Sequence, residues 1–271
     1  MVRFTMIYLL LIPTLLFFAV FFLLPMVRLF FVGGNGSLGW AAYGEALTNP
    51  LYVESMVATL AVALATTVIT LIISGISGFF LQRHRFPGRR LLVSMLTLPL
   101  AFPGVVVGFM VIMLAGRQGL IGQATEALGA GKLVFAYSLV GLLLGYVYFS
   151  IPRTILTIMA ATDKLDPKVE EAARSLGASN FRVMLDVILP ALKPAFISSG
   201  AICFATAVSA FGTAFTLAAR INVMPMVIYT EFTMSANIAM AAALSFVLGT
   251  VTWLVLALAR SATGATVAAA G

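Results

Sequence analysis

Six stretches of the chain are long, apolar and free of charged residues: Phe4–Val27, Ser55–Leu81, Leu91–Ala115, Leu133–Pro152, Ala195–Ala218 and Ile238–Ala259. An α-helix rises about 1.5 Å per residue, so about 20 such residues cross the roughly 30 Å hydrocarbon layer of a bilayer. Within that layer every backbone N–H and C=O needs an internal partner, which leaves helices or a closed barrel. Barrel strands are short segments of alternating polarity. These runs are continuous, so the chain reads as an all-α integral membrane protein of six transmembrane helices. Composition agrees: 9% of the 271 residues are charged, against about 25% in soluble domains.

The first run exceeds the h-region of a signal peptide, about 7–15 residues, and ends in LLPMVRLFF without a small-residue cleavage site. A retained span is expected. Basic residues set the orientation. Loop Gln82–Arg90 and loop Arg153–Pro194, with Arg3 and Arg260, collect twelve of the sixteen lysines and arginines; Arg28, Arg117, Lys132 and Arg220 fall on the other side. The positive-inside rule makes both termini and both basic loops cytoplasmic. The net charge of +7 is thereby accounted for at a membrane surface, and no nucleic-acid partner is expected. His84 sits in the basic loop QRHRFPGRR, and the single cysteine, Cys203, excludes a disulfide framework or multi-cysteine metal site within one chain. No metal is expected.

No phosphate-cradling GxxxxGK[ST] segment is present. GRQGLIGQ, from Gly116, lacks the lysine and falls in the outer loop Gly116–Lys132. Energy must come from another chain or an ion gradient. Proton-driven carriers place ionisable groups inside the membrane, whereas all nine acids and His84 lie outside the six runs, and Arg153 follows Pro152 at an inner helix end where it can snorkel. Sodium sites use backbone carbonyls, so a gradient-driven secondary transporter or channel stays open as the alternative. An intramembrane enzyme lacks a histidine, carboxylate or lysine to activate its hydroxyls.

Five of the nine acids (Asp163, Asp166, Glu170, Glu171, Asp186) concentrate in loop 163–190. Asp166 suits an N-cap, Pro167 the first helical position, and Glu170 and Glu171 the positive end of a helix dipole. Val169, Ala172, Ala173 and Leu176 recur at helical spacing, and Gly177 suits a left-handed terminator. Ser179 caps a second helix with Phe181, Met184, Leu185 and Ile188 on its apolar side. Two short amphipathic helices with a bend at Gly177 are therefore expected on the cytoplasmic side. Acids are as prominent as bases, which favours docking on a protein over lying in lipid headgroups.

Glu171-Ala172-Ala173, three residues, Gly177, nine residues, then Val187-Ile188-Leu189-Pro190 resembles the EAA signature of binding-protein-dependent ABC importer permeases, with Val187 where isoleucine is typical. The six-span layout, with this motif between spans four and five, extends the resemblance over most of the chain. It implies a single permease domain, 1–271, of the type I, methionine-importer-like fold with cytoplasmic coupling helices, in a bacterial inner membrane. The loop would seat in a separate ATPase subunit that carries ATP and Mg, leaving this chain without a cofactor or a catalytic residue. Glu171, with Glu170 beside it, would make a polar or ionic contact there. Ala172 and Ala173 would permit close packing, Gly177 would make the bend, and Leu189 and Pro190 would close the motif. A second permease, identical or related, and an extracytoplasmic substrate-binding protein complete the expected partners.

For the path itself, LPLAFPGVVVGF in the third span carries the breakers Pro99, Pro103, Gly104 and Gly108; a gate and ordinary close packing fit equally. Ser199, Thr206, Ser209, Thr213 and Thr216 share one face of the fifth span, as a polar path or as small-residue helix packing. The outer segment INVMPMVIYTEFTM resembles the part of these permeases that faces the binding protein, with Arg220 and Glu231 as contact candidates. Overall the pattern is most similar to spermidine/putrescine-type permeases, a group whose relatives also carry phosphonate, sulfate, molybdate or iron. The spans offer a polyamine aromatic residues but no carboxylate.

Overall fold

The computed structural model describes residues 11–217 and 221–261, the side chain of residue 260 excepted. Arg3, Arg220, the first residues of the first expected span and the last of the fifth lie outside them. The described chain is helical: α1 Leu11–Gly33, α2 Ala41–Thr48, α3 Pro50–Arg83, α4 Arg89–Thr97, α5 Gly104–Ala115, α6 Leu120–Ala127, α7 Leu139–Asp163, α8 Pro167–Ser175, α9 Asn180–Val208, α10 Phe211–Leu217, α11 Met224–Thr233 and α12 Ile238–Ser261. Among the described residues there is no strand, and six segments are long and apolar enough to cross a membrane.

Three of the expected spans differ in form. The third, expected as one helix over 91–115, is α4, a 3₁₀ turn Leu98–Ala101 and α5, interrupted at Phe102 and Pro103. Phe102 is extended, the conformation that a following proline favours, and the helix restarts at Gly104 with Pro103 as its N-cap. The fourth, expected to end at Pro152, continues to Asp163 with Pro152 buried inside it. The fifth begins at Asn180 within the loop and stops at Val208.

Two wide π turns have a shared cause. Leu24 N–H bonds to Ala19 O and Leu189 N–H to Met184 O, each five residues back, and a proline follows each: Pro25 and Pro190. A proline ring crowds the carbonyl four residues before it; widening the turn just ahead moves that carbonyl away.

The chain divides into two compact units, Met1–Met56 with Met226–Val251, and Val57–Pro225 with Thr252–Gly271. In the first, Phe30 packs against Trp40, Tyr43 and Phe246, and Tyr43 donates a hydrogen bond to Phe30 O at 2.7 Å. Burial raises the Tyr43 phenol above its ordinary pKa. Tyr52 donates to the Glu231 carboxylate at 3.0 Å. In the second, α3 and α7 approach closely where Gly78 faces Ile158; a Cβ there would lie 3.1 Å from both the Ile155 carbonyl oxygen and the Ile158 Cβ. Leu142, Ile158, Val107, Val208 and Leu217 are among its most buried side chains.

Candidate functional site

The loop that connects α7 to α9 folds as its residues dictate. Asp166 caps α8, its side chain accepting from Lys168 N–H at 3.0 Å, with Pro167 following. At the other end Gly177 N–H bonds to Arg174 O at 2.9 Å and Ala178 N–H to Ala173 O at 3.1 Å, and Gly177 has φ +86°. That pair of bonds is the Schellman terminator, which needs a left-handed residue where glycine has no Cβ penalty. Ser179 then caps α9 by accepting from Arg182 N–H at 3.4 Å. The two helices and the bend expected from the sequence are all present.

Two of the acids also have partners far away in sequence. The Glu170 carboxylate is paired with the Arg83 guanidinium at the end of α3, and Arg83 also lies over the Phe79 ring at 5.5 Å. Gln82 donates to Asp163 at 2.6 Å and receives Arg89 at 2.9 Å. The basic loop 82–90 thus holds the acidic stretch at two points, Asp163 and Glu170. Glu170 is an internal brace, and Asp166 is a cap. Glu171 stays exposed, the carboxylate on α8 left facing outward.

The small residues divide as well. Ala173 packs with Val183, Ile188 and Leu192, which anchors the bend on Phe79 and Phe196. Ala172 is exposed. Around it Val169 is 53% exposed, Phe181 71% and Leu176 90%. Leu189 and Pro190 stand at the exit of the π turn, where α9 begins its apolar stretch. Their visible effect is on backbone shape. Gly177 has open space around its missing side chain.

A second constellation gathers where helices break. After Val208 the chain leaves helical geometry at Ser209 and Ala210 and resumes at Phe211. The Tyr146 hydroxyl donates to Ala210 O at 2.8 Å, supplying the partner that the break removes. The Thr213 hydroxyl, 3% exposed, crosses to Gly104 O at 3.0 Å. A Cβ on Gly104 would lie 3.1 Å from the Thr213 hydroxyl, and one on Gly108 would overlap the Thr216 hydroxyl. Gly104 and Gly108 therefore let α5 and α10 meet nearly backbone to backbone.

Gly104, Thr206, Ser209 and Thr213 line one cavity of about 270 Å³ together with Tyr146 and Ser150. Ser199 lines a smaller hollow beside it. Thr216 stands against Gly108, and Pro99 is buried in the 3₁₀ turn, so neither borders that cavity. Pro103 is exposed at the N-cap of α5. Ser199, Thr206 and Ser209 bond back to carbonyls of their own helix at 2.7, 2.8 and 3.0 Å, as small polar residues in membrane helices do. Sequence reasoning missed Tyr146 and Ser150, which lie in an otherwise apolar run. It also placed Arg153 at a helix end, whereas α7 carries it ten residues before its terminus at Asp163. Glu231, a candidate contact with the binding protein, accepts a hydrogen bond from Tyr52. Arg220 lies outside the described residues.

Among the described residues no group of three or more His, Cys, Asp or Glu is placed to hold a metal. The chain is similar to the sulfate transport system permease protein CysT of Escherichia coli (strain K12), 32% identical over 208 residues that cover 77% of this chain and 73% of that one. It is also 33% identical over 189 residues to the molybdenum transport system permease protein ModB of the same organism, covering 68% and 81%. In fold it matches a bacterial alginate ABC transporter solved with a periplasmic protein carrying an alginate pentasaccharide, TM-score 0.83 at 16% identity, over 97% of this chain and 95% of that one. The MetNI methionine ABC transporter in inward-facing form gives TM-score 0.57 at 14% identity, over 82% and 96%. Residues 72–263 match the family model described as binding-protein-dependent transport system inner membrane component. The EAA loop is capped and bent as described, six segments among the described residues are of membrane length, and by the family match the chain belongs to the multi-pass inner-membrane permeases of ABC importers.

Proposed function

We propose that this chain forms half of the translocation path of an ATP-driven importer that receives a tetrahedral oxyanion, sulfate or molybdate foremost, from an extracytoplasmic binding protein. Loop 163–190 faces the cell interior, as do both termini, and seats in a separate ATPase subunit that holds ATP and Mg. A second permease, identical or related, completes the bundle. The family is one of transport permeases rather than enzymes, and ATP hydrolysis is assigned here to the partner.

One observation carries the docking assignment. Val169, Leu176 and Phe181 are 53, 90 and 71% exposed on a loop braced by Arg83–Glu170 and fixed by caps at both bends. A rigid surface that presents large apolar side chains to water is a site for a partner. Glu171 beside them supplies a charge for a basic group. Replacing Leu176 by Asp is expected to abolish co-purification of the ATPase subunit and ATP-dependent uptake while the permease stays inserted. ATPase binding and uptake at wild-type levels would remove the assignment.

The cargo follows the relatives. Sulfate and molybdenum name the two similar permeases, which displaces the polyamine expected from the sequence. The residues around the broken-helix cavity support this: they include no carboxylate for a polyamine to meet. Titration of the cognate binding protein with sulfate, molybdate, phosphonates and spermidine tests it, with high affinity for spermidine alone as the contrary result.

A further inference from the structure

We propose that Arg153 is the anion-contacting residue of the translocation path; this rests on the oxyanion-importer reading above. Arg153 lies ten residues before the end of α7 at Asp163, about 15 Å along the axis at 1.5 Å per residue. Arg153 is exposed there. Hydrocarbon disfavours an exposed cation strongly, so on a helix of membrane length it turns to an aqueous space or to the interior of a bundle.

The surroundings agree. Arg153 lines a small hollow whose other polar residues are Ser150, Thr154, Thr157, Ser199 and Thr206, with Phe149, Ile202 and Cys203 on its apolar side. Ser150 and Thr206 also line the larger cavity at the break in the fifth span, so the two are contiguous. The ion pairs among the described residues are Arg83–Glu170 and Lys132–Glu126, which leaves Arg153 without a carboxylate. A structural arginine buried among helices would have one. The hydroxyls of Ser199 and Thr206 rest on carbonyls of their own helix at 2.7 and 2.8 Å, and a χ1 rotation frees them to donate to a ligand. A planar guanidinium fork matches two oxygens of a tetrahedral anion, and fixed cations in a path select anions. A passing oxyanion therefore meets one charge-assisted contact flanked by hydroxyls, strong enough to admit it and weak enough to release it.

The test uses the permease assembled with its ATPase and binding protein in proteoliposomes, with radiolabelled sulfate and molybdate as probes. Arg153→Gln is expected to lower uptake about tenfold, the scale of one lost charge-assisted hydrogen bond, with ATP hydrolysis still stimulated by the binding protein. Arg153→Lys should recover part of the uptake. Unchanged uptake in Arg153→Gln overturns the assignment and leaves the importer reading standing. If uptake and stimulated hydrolysis fall together, Arg153→Cys in a Cys203→Ala background decides: labelling by a water-soluble thiol reagent, slowed by sulfate or molybdate, upholds the contact, and absence of labelling overturns it. A wild-type complex that moves neither anion overturns the oxyanion reading and this assignment with it.

Discussion

The guanidinium of Arg83, at the last position of α3, forms an ion pair with the carboxylate of Glu170 in the first turn of α8, a partner 87 residues away in sequence. Their side chains are 24 and 13% exposed, so the pair is screened less than a surface bridge and leaves an isolated charge when one member is removed. Glu170→Gln is expected to destabilise the loop by about 1–3 kcal/mol. Because both residues act in one contact, Arg83→Gln with Glu170→Gln should cost no more than either alone. Protease susceptibility of loop 163–190 and ATP-coupled uptake would both report it; fully additive losses would mean that the two side chains act separately.

Gly177 tests whether the bend serves folding or docking. It has φ +86° with nothing near the position of a Cβ. A side chain there costs only backbone strain, about 1 kcal/mol. Gly177→Asp should therefore leave insertion and the melting temperature nearly unchanged while uptake is abolished, since the added bulk meets only a partner. Retained uptake would show that no surface closes over the bend.

Gly108 makes the opposite prediction, because its crowding is internal. An added methyl overlaps the Thr216 hydroxyl and approaches Thr216 Cβ to 2.8 Å. Gly108→Ala should cost about 1–3 kcal/mol, read as a lower melting temperature in detergent. Thr216→Gly in the same chain should restore part of that loss. An unaltered melting temperature for Gly108→Ala alone would show that α5 and α10 separate easily.

Tyr146 holds the helix break. Its hydroxyl bonds to Ala210 O at 2.8 Å while the residue is 5% exposed. Tyr146→Phe keeps the ring and removes the donor from a half-buried carbonyl, at a cost of about 1 kcal/mol. Lower thermal stability and altered uptake are expected, with assembly preserved. Identical stability to the wild type would mean that the carbonyl finds another donor.

The local chemistry of the loop was legible because each signal lies within a turn of its effect. Asp166, Gly177 and Ser179 each act on a backbone group two to five residues away, and their geometry follows from their own side chains. The pairing of Glu170 with Arg83 is not legible in the sequence, because the two come near only in three dimensions. Pro152 was read as a helix end, a rule from water; inside a bundle the neighbouring helices shelter the freed backbone, and α7 runs on. That one shift moves Arg153 from a helix end into the interior of α7. The break at Ser209 and Ala210 carries no proline, and it becomes visible only with Tyr146 and Thr213 beside it.

The helix α9 has a foot in each constellation. It starts at the Ser179 cap and runs for 29 residues to the edge of the cavity at Ser209, about 43 Å at 1.5 Å per residue. A rod of that length magnifies small angles: a tilt of 5° at the foot swings the far tip by about 4 Å, on the order of a water molecule's width. A movement imposed at the loop would then reach the cavity through the backbone of α9 itself, without a relay of side-chain rearrangements between them.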